Sequence, residues 1–350
     1  MSWNDDSPRS RFIELRAGQA RDSSRNEGTV VVPLERVRAR PEAPFEALFL
    51  AHYRGLRELA RRRAQGAAVV AVHLASGELA GRLWLGQSEG AEGKPGVTAA
   101  IIGRHSECDL VLDSPDISLR HVALIVPPPG PLVSLRFSVH DLRSAAGLRG
   151  ALGQRLGGAH VTGAGFFTLG EYALFCVATG APGRWPELAS EAWRFAAGQT
   201  QPLRIARPDE RVADRSSWDA TPRSRVSAIR GPLRTNAHLL QDRERRVCTL
   251  LIAAGGRRER LALGHAAVDR GILLGRYSRC DSRGIWEGDE ISRVHLLVLR
   301  VEGQVYAFDT ASTNGMHRDS NATEEARVIN LSAGGVAVLG DRRGSVSLLR

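Results

Sequence analysis

A phosphate dianion is held by charge-assisted donors arranged around it, and three residues in the C-terminal third could supply them. Arg276 offers two N–H groups in one plane, and Ser292 offers a hydroxyl. Asn314 carries an amide that both donates and accepts, so it can read a peptide main chain and fix its register. Gly275 precedes the arginine and allows a backbone turn that aims it outward. Singly these residues say little: a surface arginine is usually solvated, and Asn314-Gly315 is usually only a turn.

Their order and their repetition say more. Residues 101–124 read IIGRHSECDLVLDSPDISLRHVAL, and residues 273–297 read LLGRYSRCDSRGIWEGDEISRVHLL. Both contain G-R-x-S-x-C-D, a loop, then I-S-x-x-H and an apolar run. Further on, the second copy has Asp309-Thr310-Ala311-Ser312-Thr313-Asn314-Gly315, where the first has Asp141-Leu142-Arg143-Ser144-Ala145-Ala146-Gly147. Cys108 and Cys280 share one place in the repeat, which suits buried packing rather than redox chemistry.

These loops need elements to position them. Residues 1–43 mix Asp, Ser, Arg and Pro without periodicity and read as a flexible tail. Over 44–66, Phe45, Leu48, Phe49, His52, Leu56, Leu59 and Ala60 recur on one helix face that can dock on a neighbour. Short β-like runs fill 67–180, among them AAVVAVHL, CDLVLD and FFTLGEYALFCVA, separated by Gly, Pro and Ser. In 181–246 a short helix with Leu188, Ala189, Ala192, Trp193 and Ala196 on one face precedes an arginine-rich linker. Strand signals resume over 247–350 with VCTLLIAAGG, LALGHAAV, RVHLLVLRVEG and QVYAFD. The class is all-β: two sandwiches joined by an arginine-rich linker, with short helices before and after the first.

The G-R, S-x-x-H and D-x-x-S…N-G elements resemble the forkhead-associated (FHA) family over about 67–180 and 247–350. The resemblance implies a β-sandwich with its binding loops at one end and recognition of phosphothreonine peptides. It places Thr313 and Arg293 beside the peptide, with Arg276, Ser292 and Asn314. His295, like Gly275 and Gly315, is assigned to holding the loops. In the first copy Arg104 and Ser118 keep the phosphate donors, but Ala145 and Ala146 replace the Thr-Asn pair, so that copy reads as degenerate. Tail or linker threonines of FHA proteins are often phosphorylated and self-regulating, and Thr29 and Thr221 are the candidates here.

Composition bounds the alternatives. The 350 residues are 43% hydrophobic and 25% charged, as in ordinary globular chains, and carry a net charge of +10. Lys94 is the only lysine among 48 basic residues, and the Arg, Ala and Gly usage points to a high-GC bacterium. No signal peptide or membrane span is legible, and four scattered cysteines give no disulfide framework or metal motif, so a cytoplasmic location is expected. Around Gly93-Lys94-Pro95, the nearest P-loop lookalike, Pro95 stands where magnesium needs a hydroxyl, and no other enzyme signature appears. Nucleic acid is a poor partner for 198–246, where Trp218 is the sole stacking residue and acids are interspersed. The expectation is a non-enzymatic adaptor, without cofactor or metal, in bacterial Ser/Thr kinase signalling. Its partner would be a phosphothreonine protein, such as a kinase or its substrate. The competing reading is a scaffold that uses the same fold without phosphate.

Overall fold

The computed structural model describes residues 45–62, 65–86, 88–89, 95–128, 136–150, 153–180, 185–197, 200–202, 239–240, 245–282, 284–286, 290–319, 325–340 and 344–349. The 1–43 tail and nearly all of the 198–246 linker, Thr29 and Thr221 included, lie outside the described residues. The chain divides into two compact units, Met1–Leu203 and Arg204–Arg350.

Unit 1 begins with α1 (Phe45–Arg62) and continues through β1 (Gly66–His73), β2 (Leu79–Gly86), β3 (Ser88–Glu89), β4 (Pro95–Gly96), β5 (Thr98–Gly103), β6 (Leu110–Val111) and β7 (Val122–Val126). Then follow β8 (Arg136–Asp141), β9 (Leu148–Gly150), β10 (Arg155–Leu156), β11 (Gly158–Thr162), β12 (Ala164–Leu169), β13 (Tyr172–Thr179), α2 (Ala189–Ala197) and β14 (Thr200–Pro202). One sheet has the order β10-β9-β12-β13-β1-β2 and the other β14-β11-β8-β7-β5-β6. Unit 2 contains β15 (Arg246–Ala254), β16 (Arg257–Gly264), α3 (His265–Arg270), β17 (Ile272–Leu274), β18 (Leu296–Val301), β19 (Gln304–Asp309), β20 (Met316–His317), β21 (Val328–Asn330), β22 (Ala337–Leu339) and β23 (Gly344–Leu348). Its sheets run β16-β15-β23-β22-β20 and β17-β18-β19-β21. Both units are β-sandwiches. Each strand of unit 2 has a unit 1 counterpart at the same place in the sheet order, β15 for β1 and β18 for β7, for example.

Alternation along the strands fills the cores. Ala67, Val69 and Ala71 of β1 pack with Leu124 and Val139 of the other sheet within the sandwich, while Ala68, Val70 and Val72 point the other way. That second face is also dry, because α1 and α2 lie over it. Phe45, Phe49, Tyr53, Leu56 and Ala60 of α1 are buried there, and Phe49 meets Phe166 at 5.1 Å. Trp193 of α2 stacks on Phe166 at 4.9 Å. Burial on both faces explains why the β1 sequence reads as a continuous apolar run instead of alternating. Burying an aromatic side chain this way contributes about 1.5–3 kcal/mol.

The structure corrects several sequence expectations. FFTLGEYALFCVA is a hairpin, not one run: Gly170 takes φ +56° between β12 and β13. LALGHAAV is only half strand. β16 ends at Gly264 and HAAVDR forms α3, with Ala267 and Val268 packed inward and Gly271 at φ +94° stopping it. On α2, Ala192 is buried, but Leu188 lies just before the helix and is 60% exposed. Thr200–Pro202, inside the stretch read as linker, adds a strand against β11.

Candidate functional site

In unit 2 the segment after β17 and the segment before β18 run side by side. The Arg276 amide donates to the Ser292 carbonyl at 3.3 Å and the Tyr277 amide to the Arg293 carbonyl at 3.0 Å. Arg276 and Arg293 are both exposed at this end of the sandwich. Gly275 makes the approach possible, though not through a left-handed turn. Its φ is not in that region. A methyl group on Gly275 would instead come within 2.4 Å of the Arg293 carbonyl oxygen.

His295 joins the two functional loops from below. It is fully buried, its Nδ1 accepts the Ser292 amide at 3.1 Å, and its Nε2 lies 3.0 Å from the Gly315 carbonyl. The carbonyl can only accept, so Nε2 carries the proton. Ser292 Oγ then accepts the Thr313 amide at 3.0 Å, which draws the 310–315 loop against the 292–295 loop. Within that loop the Asp309 carboxylate takes both the amide and the hydroxyl of Ser312, holding Ala311 at φ +61°.

Asn314 is exposed, and its Nδ2 donates to the Glu290 carbonyl at 2.9 Å. That bond fixes the side chain, while Oδ1 and the second Nδ2 hydrogen retain capacity for a main chain. Gly315 follows at φ +66°, where a β-carbon is disfavoured. Gly340 lies behind both: its amide reaches the Gly315 carbonyl at 3.3 Å, and a methyl there would come within 2.8 Å of the Glu290 oxygen. Sequence reasoning missed Glu290 and Gly340. A backbone carbonyl leaves no mark on residue type, and the chain has 37 glycines from which to choose.

Unit 1 repeats much of this framework. The Arg104 amide meets the Ser118 carbonyl, the His105 amide meets the Leu119 carbonyl, and His121 Nδ1 accepts the Ser118 amide at 3.2 Å. Asp141 takes the amide and hydroxyl of Ser144, and Arg143 stands at φ +56° where Ala311 stands in unit 2. Gly103 excludes a methyl as Gly275 does, at 2.4 Å from the Leu119 oxygen. Cys108 and Cys280 are buried, and each points Sγ at a loop carbonyl, Leu119 and Arg293, at 3.2 Å. Asp109 and Asp281 each accept an amide of the preceding strand, Ile101 at 2.7 Å and Leu273 at 2.9 Å.

The surfaces on these frames differ. Arg104 Nε donates to the Ile117 carbonyl at 3.3 Å, tying its side chain to its own loop. Ser118 Oγ accepts the Ala145 amide at 3.4 Å, and Ala145 and Ala146 provide no polar side chain beyond it. Among the described residues no group of three or more His, Cys, Asp or Glu is placed to hold a metal, and no helix is long and apolar enough to cross a membrane.

The family model of the FHA domain matches residues 100–157, the part of unit 1 that carries Arg104, Ser118 and the Ala145-Ala146 loop. No curated protein matches the chain. Among solved structures it is similar to FHA-1 of Mycobacterium tuberculosis Rv1747, at 24% identity over 29% of this chain and 98% of that one, with a TM-score of 0.23. It is similar also to the FHA domain of CT664 from Chlamydia trachomatis, at 19% identity over 31% and 96%, with a TM-score of 0.23. Mycobacterium tuberculosis EmbR in complex with a low-affinity phosphopeptide is 20% identical over 37% of this chain and 30% of that one, with a TM-score of 0.24.

Proposed function

We propose that the chain is a non-enzymatic adaptor that binds phosphothreonine peptides through unit 2. In this reading residues 247–350 form a second FHA domain, joined through the 181–246 helix and linker to the degenerate copy at 67–180, which the 44–66 helix caps. One observation supports it above the rest: the two units share their principal loop hydrogen bonds, and unit 2 alone adds the side chains of Thr313 and Asn314 on that frame. Arg276 and Ser292 grip the phosphate, Arg293 and Thr313 flank it, and Asn314 reads the peptide main chain. Gly275, His295 and Gly315 hold the loops. The partner is a phosphothreonine protein in the bacterial cytoplasm, a Ser/Thr kinase or a substrate of one.

A second reading applies to unit 1, where Arg104 is tied to Ile117 and the loop carries two alanines. There the same fold serves as a protein-interaction scaffold without phosphate. The test is a pull-down by the full chain with one peptide library in phosphorylated and unphosphorylated forms. Retention of phosphorylated members alone supports the adaptor; equal retention of both supports the scaffold.

A further inference from the structure

The two sites share a frame but carry opposite charges at two matched positions on its rim. The first position lies three residues after the site arginine. Unit 1 has Glu107, whose amide donates to His105 Nδ1 at 3.2 Å. Unit 2 has Arg279, whose guanidinium lies 4.5 Å from the centre of the Tyr277 ring. A cation over an aromatic face is attracted to the ring and held in place. Tyr277 is in turn bonded to the Arg293 carbonyl, so Arg279 is anchored next to the 292–293 segment.

The second position lies across the loop from the glycine of the turn. In unit 1 Arg155 pairs with Arg149 across the β9–β10 ladder, and in unit 2 Glu325 bridges to His317 at the equivalent place. Both side chains lie over the turn glycine. A methyl on Gly147 would come within 2.5 Å of Arg155 Nε, and one on Gly315 within 2.7 Å of Glu325 Cδ. Arg155 Nη2 also donates to the Ser144 carbonyl at 2.8 Å. Unit 2 therefore has a cation over Tyr277, the residue after Arg276, and a carboxylate over Gly315, the residue after Asn314, and unit 1 carries the opposite charge at each matched position.

We propose that Arg279 and Glu325 set the charge order of the ligand: the unit 2 site takes a peptide with an acidic residue on the Arg279 side of its phosphothreonine and a basic residue on the Glu325 side. The proposal rests on the phosphopeptide reading of that site. Neither residue belongs to the phosphate grip. They act by matching one flank and opposing the other, which separates ligands by difference of affinity more than by absolute strength.

The test uses the full chain and two phosphothreonine peptides that differ only in having their acidic and basic flanks exchanged. Binding is assigned to unit 2 where Arg276→Ala removes it. Exposed ion pairs contribute about 0.2–1 kcal/mol each, so one peptide should bind about threefold or more tighter, and added salt should narrow the gap. The ranking should invert in the double variant Arg279→Glu, Glu325→Arg, and flatten in Arg279→Gln, Glu325→Gln, which keeps the frame without the charges. Equal binding of both peptides to the native chain, or a ranking that survives both double variants, overturns the charge order while leaving phosphopeptide binding intact. Failure of both peptides to bind removes the phosphopeptide reading, and this proposal with it.

Discussion

Thr313 donates its amide to Ser292 Oγ at 3.0 Å, and the two hydroxyl oxygens lie 3.4 Å apart, so residues 21 positions apart in sequence present their hydroxyls at one point. The Ser292 oxygen is thus oriented before any ligand arrives. His295 underneath fixes the amide of the same serine. Preorganisation of this kind lowers the ordering cost of binding.

Unit 2 should distinguish phosphothreonine from phosphoserine. One buried methyl is worth roughly 0.8 kcal/mol, about fourfold in affinity. Titrating matched peptides into the full chain measures the ratio. A phosphoserine peptide that binds as tightly would mean that the site reads charge alone.

Gly340→Ala should weaken peptide binding although the residue touches no ligand. The new methyl pushes on the Glu290 carbonyl that holds Asn314 Nδ2. Its φ of +58° adds backbone strain of about 1 kcal/mol. The affinity loss should match that of Asn314→Ala, with a fall of several degrees in melting temperature from the strain. Unchanged affinity would detach Gly340 from the site.

On the proposed reading unit 1 lacks the Thr-Asn pair, so the double variant Ala145→Thr, Ala146→Asn should gain phosphopeptide binding in an Arg276→Ala background. The background removes the unit 2 contribution. No gain would place the defect in Arg104, whose guanidinium is held by the Ile117 carbonyl, and not in the loop.

Much of the loop framework was legible in the sequence, for a physical reason. Ser292, His295, Asp309 and Ser312 hold the loops through side-chain hydrogen bonds, and the first copy has the same residue types at Ser118, His121, Asp141 and Ser144. The cause assigned to Gly275 was different from the one found, since close backbone approach and a left-handed turn both select glycine. Glu290 acts through its carbonyl and Gly340 through the space it leaves, and neither effect has a residue signature. In the fold, α1 was legible because its apolar face has a helical period, although Tyr53, buried in the same stripe, was passed over. The α3 helix was hidden because Ala and Val at 266–268 continue the apolar run of β16.

Phosphorylation of the chain at Thr29, and secondarily at Thr221, should occlude the unit 2 site. A phosphate adds about −1.5 to −2 charges, and tethering raises its effective concentration to the millimolar range. The chain is phosphorylated with a Ser/Thr kinase, the site mapped by mass spectrometry, and an external phosphopeptide titrated. Weaker binding that recovers in Thr29→Ala and Thr221→Ala supports occlusion; binding equal to that of the unmodified chain rules it out.

In the proposed reading the phosphate grip rests on Arg276, which is exposed and whose amide meets the Ser292 carbonyl. Hydrogen bonds to charged groups contribute about 1.5–3 kcal/mol each, so Arg276→Ala should weaken a phosphothreonine peptide by about tenfold or more. Calorimetric titration of the full chain and this variant with one peptide, with Arg104→Ala in parallel as the unit 1 control, measures it directly. The account predicts a loss in Arg276→Ala and little change in Arg104→Ala; equal affinity for the native chain and Arg276→Ala would contradict it.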